Sequence, residues 1–168
     1  MKRKFLDYNA TNTPEEIRKC FENYREYLTS VSDRFPANAL DFALAGWHYD
    51  PKDPRCPHDA WLDNLEIREA SVRTGSSKRR MLIKALFLGA YHDGTITISY
   101  TNVQKYSLVK ILTTSNFGHS HGDWLIDEMY LTDEGLVGHN IEFANDAGWV
   151  IFSEDVEYIW TPFDRQDT

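Results

Sequence analysis

The hydrophobic period changes once along this chain, from about 3.6 to 2, and that single change limits the folds available to it. Ile17, Cys20, Phe21, Tyr24, Leu28 and Val31 recur at three- and four-residue spacing, the stripe of an amphipathic helix. Thr13 suits the N-cap, Pro14 the first helical position, and Glu15 and Glu16 the positive end of the helix dipole. Arg34-Phe35-Pro36 breaks that helix, and NALDFALA (38–45) predicts a shorter second one ending at Gly46. From residue 64 apolar residues alternate instead. LEIREASV (65–72) reads as a strand, followed by the polar connection TGSSKRR (74–80). MLIKALFLGAY (81–91) and GTITISY (94–100) flank an Asp93-Gly94 pair that predicts a two-residue type I′ hairpin. In that register Tyr91 faces Ile96, Gly89 faces Ile98 and Phe87 faces Tyr100, which gathers the apolar side chains on one side. YSLVKILTT (106–114), WVIFS (149–153) and VEYIWTP (156–162) continue the pattern, with the NDAG turn at 145–148. DWLIDEMYLT (123–132) and GLVGHNIEFA (135–144) form a second hairpin around Asp133-Glu134-Gly135. Helices first and strands afterwards predict one α+β domain over residues 1–168. Its expected form is two N-terminal helices packed on one face of an antiparallel meander of about six to seven strands.

Composition agrees with a packed domain. Hydrophobic residues make up 42% and aromatic residues 14% of the chain, more than a disordered sequence carries. The basic residues near the start are not followed by an apolar run, so no secretion signal is expected. No apolar stretch of about 18 residues predicts a membrane span. Cys20 and Cys56 fall in unrelated contexts, a helical stripe and a proline-rich loop, and read as free thiols in a reducing cytoplasm. Charge is uneven. Residues 1–100 hold 15 Lys/Arg and 14 Asp/Glu, a net of +1, whereas residues 101–168 hold 3 and 12, a net of −9. An acidic half repels phosphate, which argues against nucleic acid and for a basic protein partner or a cation. Solubility alone would be served equally well by it.

Three stretches have residues that could carry chemistry. WHYDPKDPRCPHDAW (47–61) collects His48, Asp50, Asp53, Cys56, His58 and Asp59. A zinc site needs three or four ligands in tetrahedral array, and this stretch has one cysteine and no C-x₂-C pair. Pro51, Pro54 and Pro57 instead predict a rigid surface loop, with Trp47 and Trp61 pinning its two ends to the core. In GHSHGD (118–123), His119, His121 and Asp123 resemble the H-x-H-x-D motif of metallo-β-lactamase-like hydrolases. Trp124 stands where that family continues with another histidine, so a surface loop is the expectation. His92-Asp93 is explained by the hairpin. His139, beside Glu142, shares a strand face with Val137, Ile141 and Phe143 and reads as a core histidine with satisfied hydrogen bonds. No G-x-S-x-G, P-loop or dinucleotide fingerprint occurs.

The segments AGWHYDPKDPRCPHDAWL, LFLGAYHDGTITISY, GHSHGDWLIDE and HNIEF with WVI resemble a family of small uncharacterised bacterial proteins of unknown function, over roughly residues 40–160. The organisation, a small acidic α+β domain without a catalytic motif, also resembles immunity proteins of bacterial toxin systems. The uneven charge and the lack of a catalytic motif lead to the expectation of a non-enzymatic interaction protein, without metal or cofactor, that uses its acidic half against a basic partner, as an immunity protein would. The contact residues expected from charge and strand position are Asp123, Asp127, Glu128, Asp133 and Glu134, with Trp61 and Trp124 as aromatic anchors. The alternatives are a metal-dependent hydrolase using His119, His121 and Asp123, helped by His58 or Cys56, and a small-ligand-binding domain.

Overall fold

The computed structural model describes residues 3–71, 78–111 and 120–164. The ends of two predicted strands (72 and 112–114), part of the predicted connection at 74–80, and His119 lie outside the described residues. The fold is α+β, with two helices followed by strands. Helix α1 (Pro14–Ser30) begins in a complete capping box. The Glu16 amide donates to Thr13 Oγ1 at 3.3 Å, and the Thr13 amide donates to the Glu16 carboxylate at 2.7 Å. Tyr24 and Leu28 form its buried face, as the apolar stripe predicts. Helix α2 (Ala37–Leu44) is capped from far along the chain: the Asp155 carboxylate accepts from Asn38 Nδ2 at 2.7 Å and from the Ala39 amide at 3.2 Å. No described helix is long and apolar enough to cross a membrane.

The strands form two four-stranded antiparallel sheets, not one meander. One contains β1 (Trp61–Ser71), β2 (Arg79–Leu88), β3 (Gly94–Thr101) and β8 (Asp155–Pro162), in the order β1-β2-β3-β8. The other contains β4 (Lys105–Val109), β5 (Trp124–Leu131), β6 (Val137–Phe143) and β7 (Gly148–Ser153), in the order β4-β7-β6-β5. The chain leaves the first sheet after β3 and returns to it only at β8. Thr101 pairs with Asp155 and Lys105 pairs with Phe152, so one two-stranded ribbon bends from sheet to sheet. Asn102 turns the corner with a left-handed φ of 48°, held by a bond from the Glu154 amide to the Thr101 carbonyl at 3.0 Å. Alternation marks which face of a strand is apolar but not which strand lies beside it, so the division into two sheets leaves no local trace.

The core lies between the sheets. Phe87 of β2 meets Trp124 edge-on with ring centroids 5.0 Å apart and lies 5.8 Å from Trp149 of β7. Around it are buried Ile83, Ala85, Ile96, Ile98 and Tyr100 from one sheet and Met129, Ile141, Phe143 and Ile151 from the other. The helices do not cover one sheet face as expected. α2 packs along β8 and reaches β5, and α1 joins it there, closing the side of the sandwich where these two edge strands end their sheets.

The two hairpins differ in how they relate to sequence. Leu131 pairs with Val137 around Asp133-Glu134-Gly135, with Gly135 at φ 80°, as predicted. The β2–β3 connection is a four-residue loop, 90–93, in which His92 takes a left-handed φ of 55°; Gly94 has already entered β3. Phe87 therefore faces Ile96, not Tyr100. A slip of four positions preserves the two-residue period, so the predicted apolar face survives the wrong register. Gly94 is needed for space, not for a left-handed turn: a Cβ there would lie 2.5 Å from Trp160 Cζ2 and 2.7 Å from the Thr161 carbonyl.

Candidate functional site

The residues with catalytic identities gather in the interior. Asp127, in the middle of β5, is 2% exposed, and His48 and His139 are 1% and 0% exposed. His48 Nε2 lies 3.0 Å from both carboxylate oxygens, His139 Nε2 lies 3.0 Å from Oδ2, and Trp124 Nε1 donates to Oδ1 at 3.2 Å. Three ring nitrogens thus converge on one carboxylate. The far sides of both imidazoles are also engaged: His48 Nδ1 faces the Phe42 carbonyl at 3.1 Å, and His139 Nδ1 faces the Tyr100 hydroxyl at 2.8 Å.

Donor counting assigns the protons. A carbonyl and a carboxylate oxygen both only accept, so His48 carries N–H on both nitrogens beside an ionised Asp127. His139 needs one N–H, on Nε2, and accepts from Tyr100 on Nδ1. Burial alone would raise the Asp127 pKa. The attraction of His48 and the hydrogen bonds from His139 and His48 outweigh it and hold the carboxyl well below the usual carboxylate range. Burial, reinforced by Asp127, pushes the Tyr100 hydroxyl far above the ordinary tyrosine range, which keeps it a neutral donor. The result is a closed polar network without solvent access. The network borders a cavity of about 280 Å³ along His48 and Asp127, whose side chains are themselves 0% and 1% exposed. Its consequence is structural: it ties α2 and the loop after it, through His48, to β5 and β6.

Side chains also satisfy the outer edge of β5. Tyr49 Oη donates to the Asp127 carbonyl at 3.0 Å. Tyr24 Oη accepts from the Met129 amide at 2.6 Å and donates to the Met129 carbonyl at 2.9 Å, and Tyr27 Oη accepts from the Leu131 amide at 2.9 Å. Hydroxyls from α1 and from the loop after α2 thus occupy the positions a further strand would take, which blocks edge-to-edge pairing. Glu128, 0% exposed, points the other way and grips the N-terminal segment. Its carboxylate accepts from the Lys4, Phe5 and Leu6 amides, the last two at 2.8 and 3.0 Å, and from Asn140 Nδ2 at 3.1 Å.

The predicted contact set is therefore divided. Trp124, Asp127 and Glu128 are interior and present nothing to a partner, because each already serves a buried hydrogen bond. Asp133 and Glu134 are exposed on the β5–β6 hairpin, whereas Asp123 and the 49% exposed Trp61 lie at the other end of β5. An eight-residue strand spans roughly 25 Å, so the acids do not form one patch.

The 47–61 loop is rigid, but its anchors differ from the predicted pair. Hydrogen bonds of Asp50 to Trp47, Asp53 to Asp50 and Cys56 to Asp53 make consecutive tight turns. Trp47 stacks 5.9 Å from Phe42 and lies tilted 5.0 Å from Tyr158, while Trp61 stands outward against His92 at 4.5 Å. His48 and Cys56 supply the inner anchor, the thiol donating to the His48 carbonyl at 3.1 Å. Burial pushes the Cys56 thiol up to about 11, the opposite of what a ligand or nucleophile requires. His58 pairs with Asp59 at 3.1 Å on the surface. Among the described residues no group of three or more His, Cys, Asp or Glu is arranged to hold a metal ion. His121 and Asp123 line an open cleft of about 620 Å³ with Trp61, Leu62, Ser120 and Asn145.

No known protein-family model matches the chain, and no curated protein is detectably similar to it.

Proposed function

We propose that the protein is a non-enzymatic binding module whose target is a basic protein, a role of the immunity type. The observation that carries this is the division of labour among the acids of residues 101–168. Asp127 and Glu128 are buried in networks, Glu142 pairs with Arg3 at 3.4 Å, Asp155 caps α2, and Glu154 accepts from Asn102. Asp133, Glu134, Asp146, Glu157 and Asp164 remain exposed, and Asp123 is half-buried at the cleft. The side-chain carboxylates of Asp123 and Asp133 have no hydrogen bond or ion pair within the described structure. Unpaired surface carboxylates raise the encounter rate with a cationic surface and select against anionic ones. Two free cysteines, one of them buried, suit a reducing compartment such as the cytoplasm.

The test is capture by crosslinking in the native cell, followed by purification of the captured protein and direct titration. A partner with excess Lys and Arg, whose affinity drops on Asp133→Lys and Asp123→Lys, supports the proposal. An acidic partner, or affinity indifferent to both reversals, removes it.

A further inference from the structure

The cleft beside Trp61 is built by backbone pairing on two sides. The Asp59 amide donates to the Trp124 carbonyl at 2.8 Å and the Trp124 amide donates to the Ala60 carbonyl at 3.0 Å, which ties the start of β1 to the start of β5. Ala144 donates to the Asp123 carbonyl at 2.9 Å and Asn145 to the His121 carbonyl at 3.1 Å, which ties the same segment to the β6–β7 turn. Gly122, at φ 82°, lies so close to that turn that a Cβ would meet Ala144 Cβ and the Asn145 amide nitrogen at 3.0 Å. The floor is therefore held before any ligand arrives.

Two side chains on this floor lack the partners that their chemistry favours. Trp61 is 49% exposed, with His92 standing 4.5 Å away at 68° to it. The Asp123 carboxylate is unpaired within the described structure, although the residue is half-buried. An open indole and a free carboxylate that line one cleft match a flat cation, which can stack on the ring while donating two hydrogen bonds to the acid.

Resting on the binding role above, we infer that this cleft is the anchoring pocket for an arginine side chain of the basic partner. A guanidinium fits both groups at once, whereas an ammonium offers the carboxylate only a point charge and stacks less well. A neutral ligand would leave Asp123 desolvated and unpaired. The volume of about 620 Å³ holds the side chain together with flanking peptide. The imidazole of His121 does not oppose a cation at neutral pH, since burial, aided by Lys110, shifts its pKa below the ordinary histidine value.

The experiment uses the full chain and three capped tripeptides, acetyl-Gly-X-Gly-amide with X as arginine, lysine or citrulline, followed by amide and indole NMR. The arginine probe is expected to shift the Trp61 indole and the Gly122, Asp123 and Asn145 amides saturably. Trp61→Ala and Asp123→Asn should each weaken it roughly five- to tenfold. Lysine should bind a few-fold less tightly, and citrulline, equal in shape but uncharged, should not saturate. Both variants alter surface groups, and an unchanged melting temperature separates lost binding from lost folding. Citrulline binding as tightly as arginine, or shifts confined to other surfaces, would each overturn the inference. A captured basic partner that binds Trp61→Ala and Asp123→Asn normally sinks the pocket and leaves the acidic-surface proposal standing. An acidic captured partner, with the arginine probe still saturating the cleft, does the reverse.

Discussion

Replacing Asp127 by Asn changes almost no volume and removes the charge at the buried network. One carboxylate oxygen becomes an NH₂ group. Whichever way the amide turns, that group faces N–H donors, either His48 and Trp124 at 3.0 and 3.2 Å or His48 and His139 at 3.0 Å. His48 also loses its counter-charge. It must then give up the proton it shares with the Phe42 carbonyl or the one aimed at residue 127, or remain an unpaired buried cation. Breaking a fully buried ion pair from one side costs about 3–5 kcal/mol. An unmet buried donor costs about 1–3 kcal/mol, but that penalty overlaps with the first and is not added to it. A loss of about 3–5 kcal/mol is a large share of the roughly 5–15 kcal/mol that holds a domain folded. For a chain of 168 residues it lowers the melting temperature by about 10 °C. Urea unfolding at neutral pH is the assay, read at constant m-value. The pH dependence has a defined sign. The folded Asp127 pKa is depressed, so its contribution is present above the unfolded value of about 4 and is lost as pH falls below it. The gap between wild type and Asp127→Asn must therefore narrow once pH falls below about 4. A neutral-pH loss under about 1 kcal/mol, or a gap that stays constant or widens as pH falls below about 4, would refute the idea that this carboxylate is the counter-ion of a buried imidazolium.

Three further outcomes follow from the packing. Glu128→Gln leaves backbone donors of the N-terminal segment unmet, so the Phe5 and Leu6 amides should exchange hydrogen about 10- to 100-fold faster, a cost of about 1–3 kcal/mol; unchanged protection would mean the segment is held by Phe5 and Leu6 packing alone. Gly94→Val should lower stability by about 1–3 kcal/mol through collision with Trp160, and Trp160→Leu in the same background should recover part of it, whereas simple additivity would point to the backbone. With a thiol reagent on the native protein, half-buried Cys20 should react before buried Cys56, whose thiol sits at about 11, and equal rates would mean the 47–61 loop opens readily.

Local signals were legible where local forces decide. Thr13, Pro14 and Glu16 announce the start of α1 because capping uses neighbours in sequence. Asp133-Glu134-Gly135 announces a turn because Gly135 needs a left-handed φ. His139 was legible as a core histidine from its apolar strand face, and it is buried and bonded at both nitrogens. The Asp93-Gly94 signal misled because His92, a residue that tolerates left-handed φ, takes the strained position instead. The pairing of β3 with β8 joins residues more than fifty apart and rests on the bent ribbon, which no short pattern encodes. The buried network had a usable trace. In Ile126-Asp127-Glu128-Met129, two adjacent acids point to opposite faces of a strand whose neighbours on both faces are apolar, so one at least must be buried and paired. The correct hairpin register already sets Met129 opposite His139, which brings that histidine diagonal to Asp127. His48 is different: it arrives from a loop 79 residues earlier, and its approach depends on α2 closing the side of the sandwich.

The most direct test of the acidic-surface role is the salt dependence of the affinity between the wild-type protein and its purified captured partner, from about 50 to about 300 mM monovalent salt, with Asp123→Lys titrated in parallel. The Debye length shortens from about 14 Å to below 6 Å across that range, so an interface built on unpaired surface carboxylates must weaken steadily. The expected result is a dissociation constant that rises with salt in the wild type, through a slower association rate, and rises less in Asp123→Lys. A dissociation constant that stays flat with salt in the wild type would contradict the proposal and leave the surface acids as groups that serve solubility.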